Sequence, residues 1–130
     1  MIGRQVYESV QMDTVPQEHI VTTVLERAIV HVHRAEGAIA ARRAAEAHDA
    51  LTRAQVAVLS LRTALVREKF PELAENLERL FNHVLGRLTE ANVQKDASHL
   101  PEVAEILNTL ADAWREAEKI TPRPLGGDVA

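Results

Sequence analysis

The sequence predicts an all-α fold: an antiparallel up-down four-helix bundle with a non-helical N-terminal arm and a disordered C-terminal tail. Long segments repeat apolar residues every three or four positions, which is the spacing of one helix face. Alanine and leucine supply much of the apolar content, while the chain has one tryptophan, one tyrosine and two phenylalanines. Such thin aliphatic side chains suit helix-on-helix packing.

The composition predicts a soluble, cytoplasmic protein with one domain. The chain has 130 residues, of which 46% are hydrophobic and 26% are charged, and these values are ordinary for a globular domain. A net charge of −4 argues against nucleic-acid binding, which needs a basic face. The chain has no cysteine, no apolar run that could insert into a membrane and no signal-peptide core at its start.

The first sixteen residues are predicted to form an arm outside the bundle. The stretch VYESVQMDTVP, at positions 6–16, carries the apolar side chains of Val6, Tyr7, Val10 and Met12. No helix is expected before its final proline. The arm therefore combines apolar side chains with a predicted lack of regular structure, and this combination needs a functional explanation.

Two helices are predicted over residues 17–41 and 45–69. The apolar stripe of the first helix, if continued, reaches Arg42 and Glu46, and two charges on a core line mark the end of that line. A second stripe begins at Ala47 in a different phase. A turn is therefore expected between the two helices.

A third helix is predicted over residues 71–94. Pro71 suits the first position of a helix, where its missing N–H is not needed. Asn92 and Asp96 follow the apolar stripe, and both residue types are common in turns and helix caps. We expect these two residues to support the turn to the fourth helix through backbone hydrogen bonds.

The fourth helix, over residues 100–119, completes a predicted bundle that spans residues 17–120. Residues 121–130 read TPRPLGGDVA, with two prolines and two glycines in ten positions. Such a composition cannot bury enough apolar surface to order itself, so it predicts a flexible tail.

Signatures of catalysis and of metal binding are missing from the sequence. No glutamate has a histidine three residues after it, no two histidines are four residues apart, and there is no phosphate-binding glycine loop. We therefore expect no enzyme activity, no metal and no cofactor. One weaker hypothesis is a histidine phosphotransfer domain that uses His33, which stands four residues before Gly37, although Glu36 would repel a phosphoryl group.

The second half of the chain resembles the FliS family of flagellar export chaperones. The stretches PELAENLERLFNHV and LTEANVQKDASHLPEVAEILNTLADAW carry the resemblance, with an Ala-Asn-x-x-x-Asp turn and a final Ala-Trp. The stretch TVPQEHIVTTVLERAI is similar to the start of the family's first helix. The likeness extends without a large gap from about Tyr7 to Ala117.

The resemblance implies a cytoplasmic chaperone of a bacterial flagellum that binds the C-terminal segment of flagellin. It would prevent premature polymerisation and assist delivery to the flagellar type III export gate. The outer apolar positions of the second and third helices are the expected contact, at Val56, Leu73, Leu77 and Phe81. An unrelated helical adaptor or dimerisation bundle is the alternative that remains open.

The resemblance also gives the N-terminal arm a candidate function. In this family the arm can lie over part of the client-binding groove, so Tyr7, Val10 and Met12 would cover apolar surface when no client is present. A permanent hydrophobic brace for the first long helix is an equally good interpretation of the same side chains.

Overall fold

A computed structural model describes residues 2–10 and 20–120 of the chain. These residues form five helices and no strand. The helices, in chain order, are α1 (Ile2–Glu8), α2 (Ile20–Ala40), α3 (Ala44–Thr63), α4 (Pro71–Gln94) and α5 (Leu100–Ile120). In these two ranges, each helix is too short or too polar to serve as a membrane span.

The four long helices meet in one apolar core. Each turns a single face inward, at the three- and four-residue spacing that the sequence shows. Alanine, valine and leucine dominate these faces, and the largest fully buried side chains are those of Trp114 and Phe81. Small side chains at these positions allow the helices to approach closely.

Each of the four long helices contacts two of the others. Helix α2 packs most extensively on α3 and also on α5, α3 packs on α4, and α4 contacts α5. Helix α1 packs on α5. The described part of the N-terminal arm is therefore attached to α5.

The turn between α2 and α3 uses no glycine or asparagine. Arg42 takes a left-handed conformation with φ 61°, and the N–H of Arg43 donates to the carbonyl of Ala38 at 2.8 Å. A left-handed residue is a common way to end a helix, and it usually falls to glycine because Cβ strains this conformation. Lys95 ends α4 in the same way, with φ 51°.

Two expectations about the elements were wrong. The arm is helical over Ile2–Glu8 rather than non-helical, because packing on α5 supplies the contacts that a short helix needs. The predicted helix 45–69 ends at Thr63, since Leu65 instead pairs with Val10 of the arm in an isolated antiparallel bridge. The predicted tail, residues 121–130, lies outside the described residues.

Candidate functional site

A surface groove runs between α2 and α3, and we call it the α2–α3 groove. Its volume is about 390 Å³, and its lining comes from both helices: Val24, Arg27, His31, Thr52, Arg53, Val56, Ala57 and Ser60. Val56 is 60% exposed. Val24 and Ala57 are half-buried and pack against the core. The groove therefore has an apolar floor that nothing in the described chain covers.

The α2–α3 groove is also positively charged. Arg27 and Arg53 stand on opposite walls, and Arg53 pairs with Asp49 at 3.0 Å. Burial is the main cause that lowers the pKa of His31, and Arg34, Arg53 and Arg27 lower it further, while Asp49 opposes them. Since the charged form is disfavoured, His31 is a neutral imidazole near pH 7.

His31 carries a further anomaly. Its Nδ1 atom is buried and has no hydrogen-bond partner in the described structure. Most buried polar atoms in proteins are paired, so an unpaired one needs an explanation. Because the atom itself is buried, the groove gives a ligand no direct access to it.

Sequence reasoning identified Val56 but missed the charged residues of this groove. Arg27, His31 and Arg34 are spaced by four and three residues along α2, so they form a polar stripe beside the buried one. That spacing is a signal that the sequence contained. The position of Arg53 on the facing wall depends on how α3 packs against α2, and no local pattern gives it.

The structure places the other predicted client contacts mostly in the core. Leu77 is 5% exposed and Phe81 is fully buried, so the prediction that they are outer positions is wrong. The buried line of α4 runs through Ala74, Leu77, Phe81 and Val84. Leu73 is half-buried at the edge of the core.

Leu80 instead lines a second, smaller depression. It lies between α4 and α5, has a volume of about 250 Å³, and also contains Ile106 and Leu110. Its charged lining residue is Glu105, so its electrostatic character is opposite to that of the α2–α3 groove. The two depressions would therefore suit different ligand surfaces.

The arm is held by side-chain and backbone contacts. Val10 is almost fully buried, Tyr7 is half-buried, and the buried hydroxyl of Ser9 donates to the carbonyl of Val6 at 2.7 Å. The backbone N–H of Val66 donates to the carbonyl of Ser9 at 2.8 Å. Met12, the third predicted cover residue, lies outside the described residues.

The predicted turn residues flank the end of α4, with Asn92 in its last turn and Asp96 just after its C-cap. The carboxylate of Asp96 accepts the backbone N–H of Ser98 at 2.9 Å, and this bond, together with one from the Ser98 side chain, lowers the pKa of Asp96. The side-chain oxygen of Asn92 accepts from Lys95 Nζ at 2.7 Å. Asn92 also contacts His48 on α3, with 3.0 Å between Nδ2 and Nδ1.

His33, the residue of the phosphotransfer hypothesis, is exposed on α2. Its Nδ1 lies 2.8 Å from a carboxylate oxygen of Glu36. A neighbouring carboxylate repels an incoming phosphoryl group, so this geometry does not favour phosphotransfer. Among the described residues, no cluster of three or more histidine, aspartate or glutamate side chains could hold a metal ion.

Comparisons with known proteins give the family. The sequence profile described as "Flagellar protein FliS" matches residues 3–121. The flagellar secretion chaperone FliSB of Pseudomonas aeruginosa is 29% identical over 111 residues, which cover 85% of this chain and 88% of that protein.

Two enterobacterial relatives match a shorter part of the chain. The flagellar secretion chaperone FliS of Salmonella typhimurium is 38% identical over 56 residues, or 43% of this chain. That of Escherichia coli is 39% identical over 57 residues, or 44% of this chain. In both cases the match spans 42% of the relative's length. Because the family profile covers nearly the whole sequence, the chain belongs to the FliS family of flagellar secretion chaperones, whose members are not enzymes.

Proposed function

We propose that this protein is a cytosolic chaperone that binds the C-terminal segment of flagellin. By covering that segment it prevents premature polymerisation, and it assists delivery of flagellin to the export gate. The observation that carries the proposal is the family match over residues 3–121. The exposed apolar floor of the α2–α3 groove supports it, since a helix-prone client needs such a surface.

We further propose that the four long helices form an antiparallel up-down bundle. Two pairs between α2 and α5 support this: Thr22 donates to Glu118 at 2.9 Å, and Arg115 pairs with Glu26 at 2.7 Å. The partners occur in opposite order along the two helices. Antiparallel neighbours joined by short turns present long, shallow grooves on their outer surface.

The client contact in this proposal centres on Val56. An amphipathic helix that lies in the α2–α3 groove would bury Val56 together with Val24 and Ala57, which line the same surface. Leu73 on α4 is the one predicted α4 contact that reaches the edge of the core. Leu77 and Phe81 are buried, so they act by holding α4 in place and not by direct contact.

The arm serves as an exchangeable cover in this proposal. Tyr7, Val10 and Met12 would occupy apolar surface beside α5 until a second part of the flagellin segment, beyond the part that lies in the α2–α3 groove, replaces them. The contact between α1 and α5 and the burial of Val10 support a docked arm. A client that must displace the arm binds with an affinity reduced by the fraction of molecules in which the arm is open.

A titration with matched valine variants tests the proposed function. The probe is a peptide of the flagellin C-terminal segment encoded in the same genome, measured by calorimetry. Val56→Asp should weaken binding about tenfold or more, equivalent to about 1.4 kcal/mol. Val93→Asp is the control, because Val93 is 78% exposed and lies outside the groove.

Both variants should remain folded, since neither valine is in the core. Circular dichroism and thermal melting establish that point before the titration. Failure of the wild-type protein to bind the peptide would overturn the proposed function. Equal losses in the two variants would place the binding surface elsewhere.

A further inference from the structure

The charge of the α2–α3 groove contrasts with that of the whole chain. The chain carries a net charge of −4, yet Arg27 and Arg53 line the two walls of this groove. The acidic residues of α2 are engaged elsewhere, because Glu26 pairs with Arg115 on α5 and Glu36 pairs with His33. The groove therefore keeps a positive character that the acidic side chains of α2 do not neutralise.

Of the two arginines in the groove, Arg27 is the more available to a ligand. It is exposed, and within residues 2–10 and 20–120 it has no ion pair. Arg53 has only the exposed pair with Asp49, and exposed pairs of this kind are weak. Both guanidinium groups are thus available to an incoming carboxylate, which arginine can bind through two parallel hydrogen bonds.

We propose that the α2–α3 groove selects its client through carboxylates. Arg27 and Arg53 pair with acidic side chains that border the apolar stripe of the client helix. This inference rests on the proposed function and names the client chemistry that the groove recognises: an amphipathic helix with Asp or Glu on both sides of its apolar face.

The layout of the groove matches such a helix. Val24, Val56 and Ala57 provide the apolar contact, and the two arginines stand on opposite walls beside it. On a helix, residues three or four positions apart share a face, so an apolar stripe flanked by acids presents the complementary pattern. Charge complementarity of this kind increases the association rate and the selectivity more than it increases affinity.

A double-mutant cycle tests the inference. The chaperone variants are Arg27→Gln and Arg53→Gln, with Arg79→Gln as the control. Arg79 belongs to an exposed pair with Glu75 that has the same four-residue spacing as the pair of Arg53 with Asp49. The probes are the flagellin C-terminal peptide and a version in which every Glu is replaced by Gln and every Asp by Asn.

For the native peptide at low salt, each groove substitution should weaken binding about two- to fivefold. The association rate and its dependence on salt should also fall, because the steering charges are removed. The neutral peptide should bind the wild type and the groove variants equally. Arg79→Gln should change neither peptide's affinity.

The outcomes separate this inference from the proposed function. If wild type binds the native peptide and the groove variants bind it equally well, carboxylate selection is wrong while the chaperone function stands. Equal losses with the native and neutral peptides also overturn it, since the loss then does not come from charge pairing. If wild type binds neither peptide, the proposed function itself fails, and the inference fails with it.

Discussion

His31 should make the stability of the protein depend on pH. Burial and the nearby arginines lower its pKa in the folded state, so the unfolded chain takes up a proton at a higher pH than the folded chain. The stability from neutral His31 is then present above the ordinary histidine pKa and is lost as pH falls through the folded value. Between about pH 7 and 5, wild type should lose more unfolding free energy than His31→Gln.

Urea denaturation at several pH values measures this difference. His33→Gln is the matched variant for the same substitution outside the groove, because His33 lies exposed on the same helix beside Glu36. If His31→Gln shows the same slope as wild type, then His31 does not carry the pH dependence.

Asp96 should stabilise the turn after α4. Its carboxylate accepts the N–H of Ser98, so Asp96→Ala removes the acceptor and should lower the melting temperature at pH 7. Asp96→Asn keeps a side-chain oxygen and should lose less. Because its folded pKa is lowered, the advantage of Asp96 over Ala is present above the ordinary aspartate pKa and disappears as pH falls through the folded value.

Asp96→Ala should leave flagellin-peptide affinity unchanged. A variant with intact stability and lost binding would assign Asp96 to the client site and remove it from the turn.

Single residues show where sequence reasoning succeeds and where it fails. The spacing on α4 fits a core line through either Leu80 or Phe81, because adjacent residues on a helix point about 100° apart. Packing against the neighbouring helices buries Phe81 and leaves Leu80 half-buried. Local periodicity thus gives the helix, while the final choice between adjacent apolar residues depends on tertiary contacts.

The long helices contain two glycines whose substitution should be favourable. Gly37 in α2 and Gly86 in α4 do not have positive φ, and a Cβ at either position would meet nothing within 4 Å. Close approach of another helix therefore does not explain them. Gly37→Ala and Gly86→Ala should each raise the unfolding free energy by about 0.5–1 kcal/mol.

Chemical denaturation measures these gains, and the peptide titration shows whether either glycine also has a binding role. A stabilised variant with lower client affinity would indicate a flat contact for the client backbone at that glycine. A destabilised variant would contradict the open surroundings that the structure shows.

Helix boundaries were predictable where the sequence carries a residue that favours the start of a helix. Pro71 begins α4, as a proline at the first helical position should. The end of α3 was not predictable, because the chain leaves the helix at Thr63 to bring Leu65 against Val10. That contact joins residues far apart in sequence, so no local pattern records it.

At the scale of the whole molecule, the arm decides how the free chaperone protects its surface. Deleting residues 2–12 removes the buried Val6 and Val10, which together contribute several kcal/mol gross, at about 1.5–3 kcal/mol for each large apolar side chain. Ordering the arm costs a comparable amount of conformational entropy. The bundle should therefore stay folded, with a modest fall in melting temperature and more exposed apolar surface.

The affinity of the deletion variant for the flagellin peptide distinguishes the two interpretations of the arm. A cover predicts unchanged or tighter binding, because the client no longer competes with the arm. A brace predicts weaker binding together with the loss of stability. A variant that is destabilised and binds more weakly would rule out the cover.

One backbone hydrogen bond makes the opening of the docked arm measurable by hydrogen exchange. The N–H of Val66 donates to the carbonyl of Ser9, so this single loop amide can exchange with deuterium only when the arm lifts away. Opening of the arm needs no unfolding of α3 or α4. The exchange rate of the Val66 amide therefore reports a local opening of low free energy. Client binding normally slows amide exchange, whereas displacement of the arm by flagellin would accelerate it at Val66.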